Sequence, residues 1–144
     1  MKSIASMGVH SLVDADQQLC NSDWHLSPTF NRPYFEDVKS VLTTHLDILN
    51  RATDMPKPLS IGAYWFQQYA QGDYHTWHMH PNCVFSNVYY VDLPDGGSRT
   101  TFKVNNNTFD VPVNEGQILT FPSCFVHCSM PNKVGTKTVI AFNI

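Results

Sequence analysis

Three of the seven histidines in this 144-residue chain lie close together in the stretch GDYHTWHMHPN, residues 72–82. His78 and His80 are two residues apart, so on a β-strand both side chains project to one face and Met79 projects to the other. Two imidazoles held in this way by one strand can bind one metal ion. His75 lies at an odd offset from His78, and on a continuous strand its side chain points away from the pair. We therefore exclude His75 as a ligand, unless a bend near Thr76 turns its side chain to the same face.

A metal site needs a further ligand, and His127 is the candidate. It follows the run EGQILTFPSCFV, in which a turn leads into an apolar strand. Because a jelly roll brings distant strands side by side, His78, His80 and His127 could bind one face of an ion. Ligation by imidazole alone suits zinc, copper, iron or nickel and does not choose among them. The other histidines lie on a predicted helix or in the irregular N-terminal region: His10, His25 and His45.

The strands that must position these histidines are predicted in residues 59–144. Short runs rich in aromatic and β-branched residues, such as LSIGAYWFQQY, VFSNVYYVDL and KTVIAFNI, alternate there with the turn signals PDGG, NNN and NEG. Short strands separated by such turns are typical of an all-β sandwich or barrel. We therefore predict an all-β jelly roll, with residues 59–144 as its core.

The N-terminal part, residues 1–58, is predicted to be a helical extension of the same single domain, which spans residues 1–144. A short strand is expected near residues 9–13. A helix is expected from Pro33 to about Asn50, because proline suits a first helical position and apolar residues recur three and four apart. These apolar residues are Phe35, Val38, Leu42, Leu46 and Leu49. We expect this helix to pack outside the jelly roll.

Four sequence blocks resemble a known enzyme family. The run WHMHPNCVFSNVYYVDLP, followed by NEGQILTFPSCFVHCSMPN and TKTVIAFNI, resembles the iron(II)- and 2-oxoglutarate-dependent oxygenases of tailed phages, cyanophages among them, and of marine bacteria. These proteins are prolyl-hydroxylase-like, and their pattern runs HxHP, SGVYY, EGxLxxFPSxxxH and RISxAFN. The resemblance covers roughly residues 60–144. It implies a cupin-like double-stranded β-helix as the form of jelly roll.

The resemblance also implies a site and a reaction. It places the ligands of Fe(II) on His78, His80 and His127. The far carboxylate of 2-oxoglutarate, the cosubstrate, would pair with Lys137, ten residues after the last ligand, and with Tyr90 in the VYYV strand. A weaker match adds Tyr69 to the cosubstrate pocket. The implied function is a dioxygenase (hydroxylase) that converts 2-oxoglutarate to succinate and hydroxylates a substrate, with no catalytic residue beyond the metal ligands.

Three positions depart from the wider pattern. Lys137 stands where near relatives have arginine. An ammonium group, which acts as a point charge, therefore replaces a guanidinium, which can donate two parallel hydrogen bonds to one carboxylate. Asn87 replaces the glycine of SGVYY. His80 matches the HxHP pattern of the near relatives but stands where most 2-oxoglutarate-dependent oxygenases have a carboxylate, and this leaves Fe(II) with its full +2 charge. Two alternatives therefore stay open: a cupin-like metalloenzyme that uses no 2-oxoglutarate, and a non-catalytic metal-binding module.

The composition excludes several function classes. The formal net charge is −3 and no cluster of lysine and arginine exists, which argues against nucleic-acid binding. No apolar run is long enough for a signal peptide or a membrane span. We therefore expect a cytoplasmic protein without membrane contact, in the host cytoplasm if the chain is phage-encoded. The substrate, small molecule or protein, is not indicated, and a homodimer stays open.

The four cysteines form no CxxC pair, which predicts reduced thiols rather than disulfides. Cys124 and Cys128 flank His127 at offsets of −3 and +1, and these offsets fit poorly with ligands on one strand face. We expect both to be packing residues.

Overall fold

The structure is a computed structural model, and it describes residues 18–144. The strand expected near residues 9–13, and His10 within it, lie outside the described residues. Within residues 18–144, no helix combines the length and the apolar character that crossing a membrane requires.

Ten strands of the described chain form two antiparallel sheets of five strands each. In chain order the elements are β1 (Gln18–Leu19), β2 (Asn21–Ser22), α1 (Tyr34–Ala52), β3 (Ala63–Tyr69), β4 (Tyr74–His78), β5 (Phe85–Asp92), β6 (Thr100–Val104), β7 (Asn107–Asp110), β8 (Ile118–Pro122), β9 (His127–Ser129) and β10 (Lys137–Asn143). The minor sheet has the order β1-β4-β9-β6-β7 and the major sheet the order β2-β3-β10-β5-β8. With helix α1 outside, these two sheets confirm the predicted fold class, a double-stranded β-helix.

Both sheets also take a short strand from the segment predicted as a helical extension. Strand β1 pairs with β4 and strand β2 pairs with β3. The predicted boundary at residue 59 therefore differs from the structure, in which the sheets begin before the helix. Each of these strands is two residues long, which is too short to produce a period-two pattern in the sequence.

Helix α1 packs on the outer face of the major sheet. It runs from Tyr34 to Ala52, within two residues of the helix predicted from the spacing of apolar residues. Pro33 precedes it with φ of −56°, a value that is ready for a helix. The helix and the sheet share one apolar cluster of buried residues: Tyr34, Val38, Leu42, Phe66, Ile140, Phe142 and Ile144.

Strand β10 lies between β3 and β5, and its side chains are buried on both faces of the sheet. Ile140 and Phe142 belong to the cluster beneath the helix, whereas Lys137, Val139 and Ala141 line a cavity between the two sheets. The alternation of strand residues therefore separates an outer apolar layer from an inner, partly polar one.

A buried carboxylate ties the segment before α1 to the major sheet. Asp23 is fully buried, and its Oδ2 accepts hydrogen bonds from Arg32 Nε at 2.6 Å and from the Tyr34 hydroxyl at 2.8 Å. Its Oδ1 accepts the backbone N–H of Phe66 in β3 at 2.9 Å. One side chain therefore fixes the start of the helix against the strand on which it packs.

Candidate metal centre

Three imidazoles meet at one place in the cavity between the sheets. His78 ends β4 and His127 begins β9, and the two residues are paired directly across these strands. His80 lies two residues beyond β4, where its backbone N–H donates to the carbonyl of Ser123 at 3.0 Å. One possible ligand atom from each histidine lies within 4.8 Å of the other two. The structure thus brings together the three residues predicted as ligands.

Backbone carbonyls orient two of these rings. His78 Nδ1 donates to the carbonyl of Thr76 at 2.7 Å, and His127 Nδ1 donates to the carbonyl of Phe125 at 2.9 Å. Because a carbonyl can only accept, each Nδ1 carries the ring proton and each Nε2 keeps its lone pair. His80 Nδ1 lies 3.4 Å from the amide nitrogen of Asn143.

Burial keeps the three imidazoles neutral. Desolvation lowers the pKa of His127 from 6.5 to about 3 and that of His80 to about 4, and it also lowers the pKa of His78. Charge repulsion from His78 is the second cause at both other histidines. A neutral imidazole offers the lone pair that a metal ion requires. Three neutral nitrogen donors fit a borderline divalent ion, and Fe(II) is one.

The side chain of His75 lies in the same cavity, so its predicted orientation was wrong. Its ring stacks on that of His78, with centroids 4.0 Å apart and planes 21° apart. The pairing of β4 with β9 shifts register between His75 and His78, and this irregularity breaks the strict alternation of a strand. His75 Nδ1 lies 3.0 Å from Gln67 Nε2. His75 is not part of the three-histidine group, so its exclusion as a ligand stays a prediction.

Lys137 begins β10 and lines this cavity, although it is only 2% exposed. Its Nζ donates to Ser129 Oγ at 2.5 Å and to Ser98 Oγ at 3.2 Å, and it lies 4.0 Å from the centre of the Tyr69 ring. Desolvation lowers the pKa of Lys137 from 10.5 to about 8. Within residues 18–144, no carboxylate lies within ion-pair distance of this ammonium. A buried cation therefore faces the cavity with neutral partners alone.

The two tyrosines predicted for the cosubstrate pocket both line the cavity. The Tyr90 hydroxyl accepts the backbone N–H of Thr100 at 2.9 Å and shares a hydrogen bond of 2.7 Å with Thr100 Oγ1. Tyr69 meets Lys137 through the face of its ring, in a cation–π contact. Burial raises the pKa of both phenols, so both stay protonated.

Several cavity residues were not singled out from the sequence. Gln67 lies two residues before Tyr69 on β3 and so shares its face, and Ser129 lies two residues after His127 on β9. The period of two could have indicated both once one residue of each strand was assigned. Thr100 is different, because it is placed by pairing between distant strands, and no local pattern marks it.

Asn87, which stands at the family's glycine position, is buried in the cavity wall. Its Oδ1 accepts from Thr120 Oγ1 at 2.6 Å, and its Nδ2 donates to the carbonyl of Phe142 at 3.2 Å. Thr120 Oγ1 also lies 2.7 Å from Nε2 of the half-buried His45 on α1. The asparagine is therefore held in place by the strands on both sides of β5.

Cys20, Cys83, Cys124 and Cys128 form no disulfide with one another, in agreement with the prediction of reduced thiols. Cys128 is buried, and desolvation raises its pKa to about 11, as expected of a packing residue. Cys124 is exposed, so the prediction that it packs was wrong. Its strand had already ended at Pro122, and it lies in the turn before β9.

Comparisons with known proteins agree with this geometry. A family described as "Putative 2OG-Fe(II) oxygenase" matches residues 63–109, about a third of the chain. The matched part includes His78 and His80 but ends before His127 and Lys137. No curated protein matches the sequence.

Solved structures with the same fold include two prolyl hydroxylases. A prolyl-4-hydroxylase of Pseudomonas putida aligns with a TM-score of 0.70 and 17% identity, over 99% of this chain and 79% of that one. The collagen prolyl hydroxylase of Paramecium Bursaria Chlorella virus-1 aligns with a TM-score of 0.66 and 14% identity, over 90% of this chain and 80% of that one.

An oxidoreductase of the 2OG-Fe(II) oxygenase family from Burkholderia pseudomallei aligns with a TM-score of 0.67 and 13% identity. The alignment covers 79% of this chain, which spans 58% of the length of that protein. At such identities, all three likenesses establish the fold alone. The enzyme class and the cofactors predicted from the sequence, Fe(II) and 2-oxoglutarate, are those of the family that residues 63–109 match.

Proposed function

We propose that this protein is an Fe(II)- and 2-oxoglutarate-dependent dioxygenase that hydroxylates a substrate. His78, His80 and His127 would hold the metal ion. Lys137, with Tyr90 and Tyr69, would bind the far carboxylate of the cosubstrate. One observation carries the proposal: a buried ammonium without an anionic partner in the described chain shares a cavity with three converging neutral imidazoles.

The spacing of the two charge centres supports a diacid. His127 and Ser129 lie two residues apart on β9, and two residues of strand span about 7 Å. The hydroxyl of Ser129 accepts from Lys137 Nζ. The ammonium of Lys137 thus lies about 7 Å, the span of two strand residues, from the metal ligands. 2-Oxoglutarate suits this arrangement because a 2-oxo acid that can chelate a metal and a separate carboxylate stand at opposite ends of a five-carbon chain.

Several residues of the site then have a definite task. The carbonyls of Thr76 and Phe125 orient two imidazoles, and Lys137 supplies charge for the distal carboxylate. Thr100 fixes the hydroxyl of Tyr90. The buried walls exclude water, which strengthens every charge interaction within them. When bound, Fe(II) supplies oxygen activation, which couples the decarboxylation of 2-oxoglutarate to hydroxylation of the substrate.

The ligand set also favours a second candidate. Without a carboxylate among the three ligands, the site is compatible with a cupin-like metalloenzyme that uses no 2-oxoglutarate. A buried lysine without an anionic partner among residues 18–144 is harder to explain in that case, because burying an unpaired charge is costly. The non-catalytic metal-binding module meets the same difficulty.

Anaerobic purification, metal analysis and titration with 2-oxoglutarate test the proposal. We expect the Fe(II) form to bind one molecule of 2-oxoglutarate and to release succinate when oxygen is admitted. Omitting either the metal or 2-oxoglutarate should abolish succinate. Metal-dependent turnover without succinate would favour the cupin-like enzyme, and metal binding without any turnover would favour the binding module.

We further propose membership of the group found in tailed phages and marine bacteria, which rests on the sequence resemblance, and a cytoplasmic location, which rests on the composition. The substrate, a small molecule or a protein, is not indicated. A homodimer stays open as well.

A further inference from the structure

His75 is a half-buried imidazole that the three-histidine group does not use. Its ring stacks on His78 on one side. Across the pairing of β4 with β9, His75 stands opposite Ser129, whose hydroxyl accepts from Lys137. His75 therefore lies between the metal ligands and the buried cation, beside the path that a diacid bridging them would take.

Gln67 sets the tautomer of this histidine. Gln67 is 7% exposed, and its Nε2 lies 3.0 Å from His75 Nδ1. An amide nitrogen donates, so Nδ1 accepts, and a neutral imidazole that accepts at Nδ1 carries its proton on Nε2. Among residues 18–144 the structure gives His75 Nε2 no hydrogen-bond partner. The ring thus offers one N–H donor to the cavity.

His75 is not one of the three histidines whose ligand atoms converge, and its ring lies beside that of His78. A donor beside a ligand ring is instead well placed for an atom of a small molecule bound next to the metal.

We propose that His75 donates a hydrogen bond from Nε2 to the 2-oxo acid end of the cosubstrate, with Gln67 as its positioning residue. The inference rests on the proposed function and names a further binding residue for the same cosubstrate. A neutral donor suits this place, because a positively charged donor would be repelled by the nearby divalent metal ion. Lys137, at the other end, already supplies charge to the distal carboxylate.

Calorimetric titration of 2-oxoglutarate into the anaerobic Fe(II) form tests the proposal. His75→Phe keeps a ring stacked on His78 but removes the donor. We expect it to weaken 2-oxoglutarate binding by roughly 10- to 100-fold, the worth of a hydrogen bond to a charged group, while Fe(II) affinity is unchanged. His25→Phe makes the same replacement at an exposed histidine and should leave both affinities at the wild-type values.

Gln67→Met tests the positioning role. Without the amide, the ring loses its fixed tautomer, so we expect a smaller loss of 2-oxoglutarate affinity than for His75→Phe. The double variant should bind no more weakly than His75→Phe alone, because Gln67 acts through the histidine. Additive losses would overturn this role.

The outcomes separate the two proposals. If the wild type fails to bind 2-oxoglutarate, the proposed function falls and the inference falls with it. If the wild type and His75→Phe bind it equally, the inference alone falls. Loss of Fe(II) from His75→Phe would make His75 a metal ligand and also overturn the inference.

Nitrogen-15 NMR of the zinc-loaded wild type needs no variant: a proton on Nε2 of His75 supports the proposal, and a proton on Nδ1 contradicts it.

Discussion

Lys137 is the residue on which the choice of cosubstrate depends. Its ammonium is buried against two serine hydroxyls and a tyrosine ring, and burial lowers its pKa to about 8. Such a group is a poor stabiliser of the empty protein, because within residues 18–144 no ion pair offsets the desolvation of the charge. An anion that enters the cavity would remove this penalty. The proposed cosubstrate would therefore account for the burial of this lysine.

Lys137→Met keeps the length of the side chain and removes its charge. We expect 2-oxoglutarate affinity to fall by roughly 100-fold or more, because the far carboxylate of the bound cosubstrate loses the ammonium with which it would pair. Fe(II) affinity should change little. Lys137→Arg should retain part of the affinity. Calorimetric titration of the anaerobic Fe(II) form measures these values, with Lys103→Met at an exposed lysine as the control. Equal binding by wild type and Lys137→Met would remove Lys137 from the pocket.

The three-histidine group gives a second expectation at this scale. Replacing His78, His80 or His127 by alanine leaves two ligands, and we expect metal affinity to fall by roughly 100-fold or more in each case. His25→Ala, at an exposed site, should have no effect. Metal content after anaerobic loading and dialysis provides the measurement. If one of these variants keeps its full metal content, the histidine that it replaces is not a ligand.

Individual residues show where sequence reasoning reaches its limit. His78 and His80 could be paired from their spacing, and His127 could be added because a jelly roll joins distant strands. His75 was misplaced because a register shift between paired strands leaves no mark in one sequence. The period of two could have placed Gln67 on the face of Tyr69, but its contact with His75 could not be predicted, because that contact exists only in the folded protein.

At the scale of elements, helix α1 was predicted well because its apolar stripe repeats over five turns. Strands β1 and β2 were not predicted, since pairing partners and not composition define them. What fixes the helix start against the sheet is Asp23, which accepts from Arg32, Tyr34 and the backbone of Phe66. A single buried carboxylate thus fixes the position of helix α1 relative to strand β3.

Asp23→Asn should destabilise the protein strongly. The substitution preserves the shape of the side chain, but it leaves the buried guanidinium of Arg32 without its counter-charge, which costs about 3–5 kcal/mol. Chemical denaturation measures the free energy of unfolding. Asp54→Asn makes the same change at an exposed position and should cost almost nothing. A loss as small as that of Asp54→Asn would mean that the Asp23–Arg32 pair does not anchor the helix.

At the scale of the whole molecule, the double-stranded β-helix places polar residues where a core would otherwise be apolar. One face of β10 and β3 packs beneath the helix, and the other carries Lys137, Gln67 and Tyr69 into the cavity. The alternation of strand residues made the jelly roll predictable. The order of strands in the two sheets was not, because it depends on pairings between residues far apart in the chain.

The cavity also makes the metal-free molecule sensitive to acid. Folding lowers the pKa of His75 and His127 from 6.5 to about 3 and that of His80 to about 4, chiefly by desolvation. In the unfolded chain these groups titrate near their ordinary pKa of about 6.5. Between about pH 6.5 and pH 3 the unfolded state therefore binds more protons than the folded state, and the free energy of unfolding falls as the pH falls through this window.

Urea denaturation of the metal-free protein at a series of pH values measures this dependence. We expect a loss of stability from about pH 6.5 downwards, and a shallower loss for His75→Phe, which removes one of the buried imidazoles. His25→Phe should keep the wild-type slope, because its imidazole is exposed. A divalent metal ion should raise stability near neutral pH, where the ligands are neutral in either state, and this gain should shrink on acidification as protons compete for the nitrogens. Equal slopes for wild type and His75→Phe would show that burial does not hold His75 neutral.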